Sequence, residues 1–319
     1  MGKKYELIEE EILTIDGHTL HRIKALRDFG KVHAGDVGGW IESEKNLSQE
    51  KRAWVYEDAR VYGGASVSDN AMIAGNAEIA SNASIYGCAI VRGDAFVSGN
   101  VKIFDHADVS GKVFIRGRNL AIYGHAKLFN DANISGSARI YGNARVSGCA
   151  NVMDEAEIFE DASVSGDARI YGNANISGFT RVFGNTQVGY SAQIGDNATI
   201  YGTAYIGDCL PSSGNHKAIV GGDADIASGH IEHGMIVMSS QDYIVIGPFD
   251  ERFYTFSKGD DNLIYVAENL HDGRYNLADA VDPYNWGMWR HGKDWDRFKL
   301  ACEFAQALLA QTQKEVNNE

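Results

Sequence analysis

The stretch Ala83-Ser84-Ile85-Tyr86-Gly87-Cys88-Ala89-Ile90-Val91-Arg92-Gly93-Asp94 decides the fold. It holds two copies of one six-residue unit: Ala, a variable residue, an aliphatic anchor, a variable residue, Gly, then a small or polar residue. Reading outward, anchors recur at every sixth residue from Val55 to Ile115 and again from Ile122 to Ile206, 26 in all. One extra residue, within Arg118-Asn119-Leu120, separates the two runs. Two residues before each anchor stands a second inward position. It is alanine in most units, with Val101, Val113, Leu120, Thr180 and Thr186 as exceptions. A spacing of two puts both on one face of a strand. Glycine with Asn or Asp then supplies a tight turn and tolerates positive φ. A strand this short cannot bury its anchor alone, so successive units must wrap and stack. Each buried anchor contributes about 1.5–3 kcal/mol before entropy is subtracted.

This pattern resembles the hexapeptide-repeat superfamily. The resemblance implies three units per coil, a triangular section and left-handed winding, although local crossover physics alone favours the right hand. The fold expected is therefore an all-β solenoid: a left-handed parallel β-helix with an N-terminal β cap and a small C-terminal α+β domain. A closer resemblance is to uncharacterised bacterial and phage-encoded hexapeptide proteins, some of which carry an acyltransferase label. They share an opening like Leu26-Arg27-Asp28-Phe29 followed by Ala34-Gly35-Asp36-Val37-Gly38-Gly39-Trp40-Ile41-Glu42. Such a label rests on fold, and fold does not settle function.

Residues 1–52 read as a cap. Ile12–Ile15 and Thr19–Ile23 flank Asp16-Gly17, a strong hairpin signal, and a bare first coil would offer a raw strand edge. Trp40 is expected as a lid, with a ligand platform as its alternative. Residues 53–234 carry the repeats, broken at Cys209–Lys217 by one substantial loop and resuming near Val220 and Ile226. Residues 235–319 read as the α+β domain. Strands are expected at Tyr243–Ile246, Phe253–Ser257 and Leu263–Ala267, then a helix from Asp294 to Val316 with Trp295, Phe298, Cys302, Ala305 and Leu309 on one face. The aromatic-rich segment Asp282–Trp289 suits core packing or an interaction surface.

The chain has 319 residues and a net charge of −14, which argues against nucleic-acid binding and attachment to an anionic membrane. Acidity is spread thinly along the repeats, so acidic mimicry of DNA is only a minor alternative to plain solubility. The four cysteines lie far apart without a CxxC pair, which fits a reducing compartment. With neither a signal core near Met1 nor an apolar run that would span a bilayer, a soluble cytoplasmic protein is expected.

Candidate chemistry sits on the outward positions. Tyr86, Phe104, Tyr123, Tyr141 and Phe159 follow the anchor in every third unit and should stack on one face about 4.8 Å apart. Ser68 and Ser177 bracket the row. It is either a structural ladder or a binding face for a protein partner or for self-association; glycan binding is weaker. His106 and His125 share one corner column with Cys88, but Asn70 and Asn143 continue it, so a corner accepting polar residues at positive φ explains the column better than a metal. Members of the resembled superfamily that are acyltransferases use a histidine base near a subunit cleft and an acetyl-CoA donor. That role would fall to His216 in the protruding loop, with His230 or His233 behind it. The preferred expectation is a non-catalytic scaffold or binding protein, phage- or prophage-borne and acting on a host protein, with no cofactor and no metal. The rival is a homotrimeric acyltransferase using acetyl-CoA.

Overall fold

The computed structural model describes residues 2–207, 218–228, 230–231, 235–238, 243–249, 252–259, 264–268 and 271–276, with Cys302, Glu303, Ala305 and Ala307 beyond. The chain divides into two compact units, Met1–Gly166 and Asp167–Glu319.

In the first unit the hexapeptides form a parallel β-solenoid. Each unit is a two-residue strand and a corner, and the anchors line up in three columns. Val55, Ile73, Val91, Val109, Leu128, Val146 and Val164 stack on the first face. Val61, Ile79, Val97, Ile115, Ile134 and Val152 stack on the second. Val67, Ile85, Ile103, Ile122, Ile140 and Ile158 stack on the third. The anchors from Val55 to Val164 and the alanines two residues before them are almost wholly buried, which is the gain that drives the winding. The extra residue is absorbed between Gly117 and Leu120. The ladder pairs Gly99 with Gly117 and then Val101 with Leu120, a bulge that lengthens one coil without turning an anchor outward.

The corners explain the glycines. The second residue after the anchor takes a left-handed conformation, as at Gly87 (φ 69°), Gly142 (φ 69°) and Asp105 (φ 57°). This moves the expected positive φ one position earlier: it belongs to Asp69, Gly87, Asp105, Gly124 and Gly142, and the following Asn70, Cys88, His106, His125 and Asn143 are free of it.

The cap is a hairpin of β1 (Tyr5–Ile15) and β2 (His18–Ala25), turned by Asp16 and Gly17, both at positive φ. Strand β3 (Val37–Ile41) joins cap to coil. It pairs antiparallel with β2 through His21 and Ile41, and parallel with the second face through Trp40–Arg60 and Ile41–Val61. The raw edge is thereby filled. Gly38 and Gly39 are needed because a Cβ there would stand 2.6 Å from the Val55 carbonyl oxygen and 2.5 Å from that of Ala59. The Arg22 guanidinium lies over the Trp40 ring, 4.4 Å from its centroid, so this face of the lid is covered. The Lys4 ammonium is buried, donates to the Ala53 carbonyl at 2.9 Å and faces the Phe29 ring at 5.2 Å.

In the second unit the anchors again form three columns: Val182, Ile200 and Ile226; Ile170, Val188, Ile206 and Ile231; and Ile176, Ile194, Val220 and Val237. Ile194 pairs with Val220 across the expected loop, and the loop itself, including His216, lies outside the described residues. Antiparallel strands follow at Tyr243–Phe249, Arg252–Gly259, Ile264–Glu268 and His271–Asn276. Cys302, Glu303, Ala305 and Ala307 are helical, with Cys302 and Ala305 buried. The rest of the expected helix and the Asp282–Trp289 segment lie outside the described residues.

Candidate functional site

The outward residue after each third-face anchor has nowhere to go except along its neighbour one coil away. At four of these five consecutive positions the next ring lies 4.9–5.0 Å on. Tyr86 stacks on Phe104 at 4.9 Å, Phe104 on Tyr123 at 4.9 Å, Tyr123 on Tyr141 at 4.9 Å and Tyr141 on Phe159 at 5.0 Å. Interplanar angles of 2–5° make this one continuous stack. Its repeat is the strand spacing, so the backbone ladder imposes the register of the rings. Every ring is half-buried by its neighbours, with its remaining surface open.

Carboxylates border the row. Burial raises the Tyr86 hydroxyl above its ordinary range, and Asp105 and Asp69 add to the shift. At Tyr141 burial comes first, then Glu157. At Tyr123 burial again dominates, partly offset by Arg139 and reinforced by Glu157 and Asp105. Arg139 itself is held by Glu157 at 3.0 Å. The face is therefore apolar along its axis and bordered by carboxylates, of which Glu157 is paired with Arg139 and Asp69 with Lys51, and its tyrosines stay protonated hydrogen-bond donors at neutral pH.

Other expected groups fall as follows. His106 and His125 stack ring on ring at 4.9 Å, and Cys88 accepts a long 4.0 Å contact from the Asn70 amide. Among the described residues, no three or more His, Cys, Asp or Glu side chains are placed to hold a metal ion. His216 and His233 lie outside the described residues, and of His230 only the strand position is described. No helix among the described residues is long and apolar enough to cross a membrane.

Acidic residues on the corners turn inward to the backbone. The Glu57 carboxylate accepts the Gly75 N–H at 2.6 Å and the Asp69 carboxylate that of Gly87 at 3.2 Å. Glycines separate these acids along each corner, so they make no continuous acidic row of the kind a DNA mimic needs.

Two features were not read from the sequence. Phe96 and Phe114 stack at 5.1 Å on the second face, just before their anchors, a position the repeat leaves variable. A cleft of about 610 Å³ opens at the bulge, lined by Asn82, Asn100, Arg116, Arg118, Ser137 and the backbone of Gly99, Gly117 and Gly136. The signal for the second was the extra residue itself, which directly follows Arg116-Gly117-Arg118.

Comparison with known proteins agrees with the solenoid fold. A family model described as the YdcK beta solenoid repeat matches residues 138–150, a segment that includes Tyr141 of the ring row. The chain is a hexapeptide-repeat β-solenoid. It is similar to a protein of Escherichia coli (strain K12) named "Uncharacterized acetyltransferase YdcK", with 39% identity over 62 residues. The matched part is 17% of this hexapeptide-repeat chain and 19% of that relative, so the chain spans about a fifth of the length of the relative it matches.

Proposed function

We propose that this solenoid is a non-catalytic binding scaffold whose ring row docks a protein partner with a basic and apolar contact surface. The ring row carries the reading: a stack of five parallel rings about 20 Å long, flanked by Asp69, Asp105, Glu157 and Glu160. The exposed ring edges of such a row suit apolar side chains, and the carboxylates beside them attract guanidinium and ammonium groups. The net charge of −14 favours a basic partner over a second copy of the same chain. A phage or prophage origin and a host-protein target belong to this reading, supported by the resemblance carried by residues 26–29 and 34–42. So does a cytoplasmic location, where exposed Cys88 and Cys149 would stay free thiols.

A second reading is a homotrimeric acyltransferase, and its enzymatic part is favoured by the name of the Escherichia coli relative. Calorimetric titration with acetyl-CoA, together with a mass measurement in solution, separates the two. The scaffold reading expects no acetyl-CoA binding. A trimer that binds acetyl-CoA would overturn it in favour of the enzyme.

A further inference from the structure

From Val55 to Val164 the regular solenoid is interrupted once, and the interruption builds a cleft. Arg116 and Arg118 are two residues apart on the lengthened coil, one on each side of Gly117 where the bulge begins. Both are exposed and both line the cleft of about 610 Å³. Arg116 also lines an adjoining cleft of about 410 Å³ that it shares with Asn82, Phe96, Ser98 and His18.

Some other arginines of the first unit are paired with carboxylates, while among the described residues Arg27, Arg52 and Arg145 are not. Arg22 is held by Asp58 at 2.7 Å, Arg92 by Asp108 at 2.9 Å and Arg139 by Glu157 at 3.0 Å. Arg116 and Arg118 have no carboxylate within ion-pair distance among the described residues. No acid lines the larger cleft, and Asp16 is the one acid lining the smaller.

The floor between them is bare backbone, and it must be. A Cβ on Gly99 would press into the Gly117 carbonyl oxygen, and one on Gly117 into that of Gly136. Side-chain amides of Asn82 and Asn100 and the Ser137 hydroxyl surround this strip and can donate hydrogen bonds. The volume falls in the range of small-molecule sites.

We propose that this cleft binds a small anionic ligand bearing a carboxylate or phosphate group, gripped by Arg116 and Arg118. The planar guanidinium fork matches both oxyanions in bidentate fashion, and two forks on one strand suit a ligand with two such groups. The site is independent of the ring row, which lies on the third face.

Calorimetric titration of the full chain with pyrophosphate and with malonate, at fixed ionic strength in chloride, tests this. Binding of pyrophosphate alone identifies a phosphate ligand and binding of malonate alone a carboxylate; either supports the site. Arg116→Gln and Arg118→Gln should each weaken binding about tenfold, the size of one lost charge-assisted contact. Both side chains are exposed and unpaired, so circular dichroism should show an unchanged fold. The proposal is overturned if neither anion binds, or if the double variant binds as tightly as the parent.

Discussion

The Asp105 carboxylate accepts the backbone N–H of Gly124, one coil further on, at 3.2 Å. The same brace links Glu57 to Gly75 and Asp69 to Gly87, and in the second unit Asp196 to Gly222. Each of these acids is itself in the left-handed conformation. Corner acids are thus chosen twice, once for a tolerated φ and once for an amide that the ladder leaves without a carbonyl. Asp105→Ala should remove the brace and speed hydrogen exchange at the Gly124 amide. At a cost of about 1 kcal/mol, exchange there would rise roughly fivefold under native conditions. Unchanged protection at Gly124 would show that the contact carries no free energy.

Acid should loosen the same braces. The Asp69 carboxyl is held below its ordinary range, first by the Lys51 ammonium and then by the Gly87 N–H. Glu42 is held low, first by its hydrogen bond from His18. Groups whose pKa is lower in the folded chain stabilise it above the ordinary carboxylate value and lose that stabilisation as pH falls through the lowered one. The melting temperature should therefore decline below about pH 4. Asp69→Asn should make the decline shallower, and an identical pH profile for this variant would count against the assignment.

At alkaline pH the cap should also gain stability as pH rises. Burial, with Arg27 adding to it, brings the Lys4 ammonium down to about 8. Between there and the ordinary lysine value near 10.4 the unfolded chain still holds the proton that the folded chain has released. Stability then rises with pH over this window. Thermal melts at pH 8 and pH 10 should show a gain that Lys4→Met lacks.

Corner geometry separates two substitutions that look equally mild. Gly99 has φ +91°, and its added Cβ would meet the Gly117 carbonyl oxygen, so Gly99→Ala should cost several kcal/mol or block folding. Ser81 already sits at φ 60° and is exposed. Ser81→Gly should stabilise by about 0.5–1 kcal/mol, since it removes the left-handed penalty. Urea denaturation monitored by circular dichroism measures both.

The solenoid was legible because its signal is one-dimensional. A period of six with a fixed inward pair at Ala83 and Ile85 leaves few other packings, and Asp16-Gly17 announces its hairpin by turn chemistry alone. The bulge at Asn119 was visible as a slip in that count. What escaped depended on contacts between coils. Ile41 and Leu47 already head the second and third inward columns, yet the eight-residue step from Leu47 to Val55 hides them from a six-residue count. The braces from Asp69 and Asp105 join residues 18 and 19 positions apart, so composition shows only their charge. The ring row could be read because its period is a whole coil. The arginine cleft could not, because it is made by a departure from the period.

The ring row also predicts its own loss. Tyr123 is stacked on both sides, so replacing it forfeits two ring contacts, each worth about 0.5–1.5 kcal/mol. The most direct test of the scaffold reading is the dissociation constant of a captured protein partner for the parent chain and for the Tyr123→Ser/Tyr141→Ser double variant. Phe114→Ser on the second face serves as the control. Docking on the row predicts that the double variant weakens binding by about a hundredfold or more, as loss of central aromatic anchors does, while Phe114→Ser leaves it unchanged. Equal affinity for the parent and a folded double variant would contradict the reading.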